Sequence, residues 1–203
     1  MYPTLKRILD AVGSVVILLL LAPLLVLVAL LVLLVDGRPV FFRQVRPGLD
    51  EKPFLMVKFR TMSGAPVVDD GDESARVTKL GKILRRTSID ELPSLWNIAC
   101  GNMSFVGPRP LLVAYLGIYS QRHSQRHAVR PGLTGLAQVA GRNLLPWKER
   151  LDLDAKYVEK QSFLLDITIL GVTIVEVFRR RGIEQADGST MARLKPGYES
   201  DYG

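Results

Sequence analysis

Apolar residues are concentrated at one place in this chain. Residues 11–35 read AVGSVVILLLLAPLLVLVALLVLLV and carry no charge. About 25 residues make a straight helix of about 37 Å, enough to cross a bilayer. The run is too long for the core of a signal peptide, and no clear small-residue cleavage site follows it. Apolarity on every side at this length predicts a membrane helix, not a buried helix of a soluble domain. Pro23 stands near its middle, where a missing N–H kinks or breaks the backbone ladder. Lys6 and Arg7 precede the run, and Arg38, Arg43 and Arg46 follow it. Basic flanks on both sides ask both ends to stay cytoplasmic. A spanning helix and a re-entrant one both fit these features, since proline is not rare in spanning helices.

Beyond residue 36 the pattern breaks into shorter elements. Residues 40–45 and 54–59 are strand-like, and the turn-rich stretch 46–53 predicts a β-hairpin between them. Residues 63–74 are acidic and polar with Gly and Pro, which predicts a mobile loop. Residues 77–86 read as a helix with a basic end at Lys82, Arg85 and Arg86, and a short helix follows to residue 99. A helix is expected over 111–128, a turn over 130–135 and a short irregular piece over 136–143. Residues 147–161 form a charged amphipathic pattern. Residues 163–178 are more apolar but carry Asp166 and Glu176, so they suit a helix in the core or on a membrane interface, not a span. The tail from residue 179 is polar. The fold class expected is α+β and mostly helical: a membrane helix over 1–36, then a compact membrane-associated domain over 37–203 with one small hairpin.

At 203 residues the chain holds one domain with a true core besides the membrane element. Cys100 is its single cysteine, which excludes an internal disulfide framework, fits a reducing cytoplasm and reads as an inert small apolar residue. The formal net charge of +7 suits anionic lipid, nucleotide phosphates or nucleic acid. No nucleic-acid-binding signature is present, so no nucleic-acid partner is expected. Walker, Rossmann and nucleophile-elbow patterns are absent as well.

The chemistry gathers at Ser88-Ile89-Asp90-Glu91-Leu92-Pro93 and at Pro108-Arg109-Pro110. Ser88 and Glu91 have the spacing of a capping box, in which both acids would be ordinary first-turn residues. A helix starting at Pro93 is the other local reading. Either arrangement sets the carboxylates at the positive end of a helix, which would lower the Asp90 pKa and keep it ionised. An ionised carboxylate can attack phosphorus and form an acyl-phosphate. Arg109 lies between two prolines that fix its backbone, a setting suited to gripping phosphate oxygens. Lys58, Arg60, Arg85 and Arg142 occupy loops or element ends and are further candidates for phosphate. Surface cations are usually just solvated, and taken singly Lys58 and Arg85 read that way. His123 and His127 stand four apart, a spacing able to bind metal. No carboxylate or cysteine lies near them in sequence, so a solvated helix face is expected.

These residues resemble the bacterial sugar transferases, and more narrowly the small monotopic polyprenyl-phosphate phosphoglycosyl transferases. The similarity runs over nearly the whole chain. It rests on Lys6 to Asp10, Arg46-Pro47-Gly48-Leu49, Lys58-Phe59-Arg60-Thr61-Met62, Asp90-Glu91-Leu92-Pro93, Met103 to Pro110, Arg130 to Gly135, Gly141-Arg142-Asn143 and Ser162 to Asp166. Each is weak alone, but their order and spacing are specific. The resemblance implies that a UDP-sugar gives its sugar-1-phosphate to Asp90 with release of UMP, and that polyprenyl phosphate then takes it. It implies Mg²⁺ at Asp90 and Glu91, and a helix made re-entrant by a break at Pro23. It also implies a monotopic enzyme on the cytoplasmic face of the bacterial inner membrane, in contact with membrane lipids. A homodimer is compatible with it. The short form leans toward an acetamido or diacetamido sugar; UDP-galactose, UDP-glucose and UDP-N-acetylglucosamine are alternative donors. A non-catalytic membrane-anchored scaffold of a glycan assembly complex is the alternative from another class. The chain departs from the pattern at Ala22, where Ser often precedes the proline, and at Cys100-Gly101-Asn102, where Lys-Gly-Asp is common.

Overall fold

A single 34-residue helix, α1 (Tyr2–Val35), opens the computed structural model, which describes residues 2–64, 76–141, 145–179 and 194–198. Most of the loop expected over 63–74, most of the polar tail and Arg142 lie outside the described residues. At 1.5 Å per residue α1 is about 51 Å long. It runs on through Pro23, so the break expected there does not appear as an end of the helix. A proline removes one backbone hydrogen bond, which a helix otherwise held in place absorbs.

What holds α1 is contact at both ends with one body. Near its start, Lys6 Nζ donates to Asp166 Oδ2 at 2.6 Å, and Asp10 accepts from the Phe105 amide at 3.3 Å. Arg7 donates to the carbonyls of Ile98 and Ala99 at 2.7 and 2.8 Å. Near its end, Val28 and Val32 pack with Phe59 and Leu84. Just beyond, Arg60 donates to the carbonyls of Asp36, Gly37 (2.7 Å) and Arg38 (2.9 Å). The outward side of α1 exposes Leu19, Leu20, Val26, Leu27 and Leu34. Among the described residues, α1 is the one helix long and apolar enough to cross a membrane.

The hairpin forms where the alternation predicted it. β1 (Phe41–Pro47) pairs antiparallel with β2 (Pro53–Phe59), from Phe41↔Phe59 to Pro47↔Pro53. Phe54 and Met56 enter a core with Leu95, Ile98 and Met103. Helix α2 (Lys79–Arg86) is capped by the Thr78 hydroxyl, which accepts from the Gly81 amide at 2.8 Å. A 3₁₀ segment, Ile89–Ser94, leads into α3 (Leu95–Ala99). Side chains then take the place of a third strand along β2. Asn97 Nδ2 donates to Leu55 O (2.8 Å), Asn97 Oδ1 accepts from the Val57 amide (3.2 Å), and Ser94 Oγ donates to Val57 O (2.8 Å). These bonds fix the segment that carries Asp90 and Glu91 against the strand that carries Lys58.

From Cys100 onward the structure corrects five expectations. The stretch read as a turn at 130–135 contains β4 (Gly132–Thr134), which pairs in parallel with β3 (Ser104–Val106). The crossing admits only glycine: a Cβ on Gly132 would lie 2.1 Å from the Gly107 nitrogen, and one on Gly135 would lie 2.1 Å from the Gly107 oxygen. The helix expected over 111–128 is instead a 3₁₀ turn (Val113–Tyr115), the short α4 (Gln121–Ser124) and another 3₁₀ turn (Gln125–Ala128). His123 is not on a solvated face, being 2 % exposed, with Nδ1 2.6 Å from the Tyr198 hydroxyl and Nε2 3.2 Å from Asp152. Cys100 is exposed, unlike most free cysteines. Residues 136–143, read as irregular, hold α5 (Leu136–Ala140). The chain continues through α6 (Trp147–Lys160) to α7 (Phe163–Arg179). Phe163, Leu164, Ile167, Ile174 and Val175 of α7 are exposed.

Candidate active site

The carboxylate pair sits in a sharp bend. After α2 the backbone turns through Ser88, which adopts a left-handed conformation (φ 56°), and enters the 3₁₀ segment. Ser88 makes no side-chain cap, and the Glu91 amide bonds its backbone carbonyl instead, at 3.3 Å. The expected capping box is therefore not formed. Pro93 lies inside the 3₁₀ segment, not at the first position of an α-helix.

Glu91 is clamped by two cations from different parts of the chain. Lys58 Nζ donates to Glu91 Oε1 at 2.6 Å, and Arg109 Nη2 donates to the same oxygen at 2.7 Å. Burial opposes ionisation of Glu91, but the Arg109 and Lys58 charges together outweigh it and hold its carboxyl well below the usual range. Burial pushes the Lys58 ammonium down from its ordinary value, against the pull of Glu91. The Glu91 charge raises Arg109.

Asp90 behaves in the opposite way. Burial, and then the neighbouring Glu91 charge, push its carboxyl above the ordinary value, while Lys58, Arg85 and Arg109 pull it back. The lowering expected from a helix terminus is reversed. A 3₁₀ segment of six residues has little dipole to offer, and desolvation dominates. Two adjacent carboxylates whose environments drive their proton affinities apart form an arrangement typical of reactive sites.

The remaining sequence candidates divide. Arg85 is near the pair: its Nε donates to Thr61 Oγ1 at 3.0 Å, and its charge acts on Asp90. Arg60 is not, because its guanidinium is used on the carbonyls after α1, where it acts as a cap. Pro23 lies within α1, outside the carboxylate site.

Beside the clamp is a cleft of about 200 Å³, lined by Lys58, Arg109, Arg46, Tyr115 and Trp147 among others. Tyr115 and Trp147 meet edge to face at 5.7 Å, and the Arg150 guanidinium lies 5.0 Å over the Trp147 ring. The sequence reading did not single out Tyr115 or Trp147. An aromatic residue at the start of a charged helix looks like core, and only the turn at Val113–Tyr115 brings the two together. Chemically, the site combines a buried carboxylate, fixed cations and an aromatic-walled cleft. This set suits phosphoryl transfer from a nucleotide.

Comparison with known proteins agrees with this chemistry. A family model described as bacterial sugar transferase matches residues 1–180. The chain is 42 % identical over 197 residues to the protein named "Uncharacterized sugar transferase EpsL" of Bacillus subtilis (strain 168), covering 94 % of this chain and 95 % of that protein. It is 41 % identical over 186 residues to the UDP-glucose:undecaprenyl-phosphate glucose-1-phosphate transferase of Escherichia coli (strain K12), covering 86 % of this chain and 40 % of that one. It is 38 % identical over 197 residues to the UDP-galactose-lipid carrier transferase of Erwinia amylovora, covering 88 % and 41 %. The chain thus spans nearly all of the Bacillus relative and about two fifths of the two longer ones.

Proposed function

The chain belongs to the bacterial sugar transferase family, and on that premise we propose that it is a UDP-sugar:polyprenyl-phosphate sugar-1-phosphate transferase. The Asp90 carboxylate attacks the phosphorus that bears the sugar. The bond to the uridine-bearing phosphate breaks, UMP leaves, and an aspartyl-phosphosugar remains. An oxygen of polyprenyl phosphate then attacks the same phosphorus, the bond to Asp90 breaks, and the polyprenyl diphosphosugar departs. Splitting the transfer lets two bulky substrates use one site in turn. The observation that carries this reading is the division of labour in the pair: Glu91 is held by Lys58 and Arg109, and Asp90 beside it takes no part in that clamp.

Lys58 and Arg109 face the cleft and supply positive charge for the diphosphate, while Tyr115 and Trp147 offer apolar walls for the nucleoside. Arg85 supports the charge balance at Asp90. Mg²⁺ is the expected cofactor. Both clamp contacts fall on Glu91 Oε1, and two hard carboxylates completed by substrate phosphates make a set that Mg²⁺ accepts. Asp90 and Glu91 would hold it, and when bound it would neutralise charge on the diphosphate. The two longer relatives are named for glucose and galactose, which favours a hexose donor ahead of the acetamido sugar expected from the short form.

The membrane placement proposed is monotopic, with the catalytic body on the cytoplasmic face and α1 re-entering its own leaflet. Its support is that Lys6, near the start of α1, and the carbonyls just past its end are bonded by one body, through Asp166 and Arg60.

UMP release from a panel of UDP-sugars, with undecaprenyl phosphate in detergent, tests the activity. Asp90→Asn should abolish turnover, and intact-mass measurement with donor alone should find an added phosphosugar on the wild type only. Substantial turnover by the Asn variant removes Asp90 from the nucleophile role.

A further inference from the structure

Beneath the Pro108-Arg109-Pro110 loop lies a charge pair that the catalytic reading does not use. Arg126 and Asp154 are 2 % and 1 % exposed. Arg126 Nη2 and Nε donate to Asp154 Oδ2 at 2.7 and 3.2 Å, and Nη1 donates to the Tyr119 hydroxyl at 3.1 Å. Nη2 also donates to the backbone carbonyl of Arg109, at 2.6 Å.

That last bond is unusual in what it holds. Pro108 and Pro110 have no N–H, so the loop cannot be fixed through those two donors. Its carbonyls must do the work: Pro108 O accepts from the Gly132 amide at 2.9 Å, and Arg109 O accepts from Arg126. A buried ion pair is weak evidence for stability, because desolvating the two charges offsets their attraction. Here one end of the pair fixes the peptide from which the Arg109 side chain reaches Glu91.

We infer that Arg126, neutralised by Asp154 of α6, is a positioning residue for the sugar-1-phosphate transfer: it sets the place of the Arg109 guanidinium over the donor phosphate. This rests on Arg109 being a phosphate contact. Misplacing a bidentate cation by about 1 Å is enough to cost rate or affinity on the order of 10- to 100-fold. The loss belongs to the donor step, since the covalent intermediate no longer carries the uridine-bearing phosphate.

A double-mutant cycle on the full-length enzyme in detergent tests this, reading kcat and KM for the UDP-sugar by UMP release. Arg126→Lys keeps the charge and loses the fork that reaches both Asp154 and Arg109 O. It should lower kcat/KM about 10-fold, mostly through KM for the donor, and leave KM for polyprenyl phosphate unchanged. In an Arg109→Lys background the same change should cost less than about 2-fold. If Arg126→Lys does not fold, the neutral pair Arg126→Gln with Asp154→Asn leaves no uncompensated buried charge and should give the same pattern. Effects that multiply across the cycle overturn the inference and leave Arg109 as a phosphate contact. A silent Arg109→Lys overturns that contact itself, and the inference with it.

Discussion

Asp90 and Glu91 share one turn of backbone and hold protons with opposite tendencies, because Glu91 meets Lys58 and Arg109 while Asp90 is buried beside the Glu91 charge. A carboxylate nucleophile works deprotonated. Activity should therefore fall on the acid side at a higher pH than an unperturbed aspartate would set, as Asp90 takes up its proton. Lys58 is one of the charges that pull Asp90 down, so Lys58→Met should move the acid limb of the UMP-release profile to higher pH. A limb that stays or moves lower would separate Lys58 from Asp90. Arg109→Lys keeps the charge but loses the two-pronged grip, and should lower kcat/KM for the donor by about 10-fold. Steady-state kinetics with an unchanged value would make the Pro-Arg-Pro loop structural. Sequence alone singled out Asp90, Glu91 and Arg109, because adjacent acids and a proline-flanked cation stand out locally. It could not tell Lys58 from Arg60. The two would share a face if the strand continued, but β2 ends at Phe59 and Arg60 turns toward the carbonyls after α1.

The elements that were legible are mostly those whose pattern lasts several residues: α1, the hairpin, α2, α6 and α7, with the short α3 besides. Strands β3 and β4 are three residues each, too short to show an alternating pattern, and β4 lies between Pro131 and Gly135 in a stretch whose composition is that of a turn. They exist because Gly107 and Gly132 allow two backbones to touch. Gly132→Ala would put a methyl group into the Gly107 backbone and should destabilise the fold by about 3 kcal/mol or more. An unaltered melting temperature would mean that the crossing relaxes freely. Arg60→Met removes the cap on the end of α1 and should lower stability by about 1–2 kcal/mol. KM for the UDP-sugar should not change. A raised KM with unchanged stability would return Arg60 to the substrate.

At the scale of the molecule, the sequence put positive charge on both flanks of α1, and the structure docks both ends on one body. With Cys100 replaced by Ser, single cysteines at the exposed positions Thr4 and Arg38 should both react only with reagent on the cytoplasmic side. Periplasmic reaction at Thr4 would make α1 a spanning helix and leave the proposed cytoplasmic placement of the active site intact. What the sequence could not supply was the surface that receives α1. Asp166 is 160 residues from Lys6, and no local pattern links the two.

That separation bears on how the protein is made. Synthesis runs from the N-terminus, so α1 is complete long before α7 leaves the ribosome. Until then Lys6 lacks Asp166, its closest carboxylate partner, while Arg7 and Asp10 already have theirs in residues 98–105. The first turn to be synthesised is thus among the last to be latched. A chain stopped short of Phe163 would lack the carboxylate that fastens Lys6, and would be marked as unfinished at its own beginning.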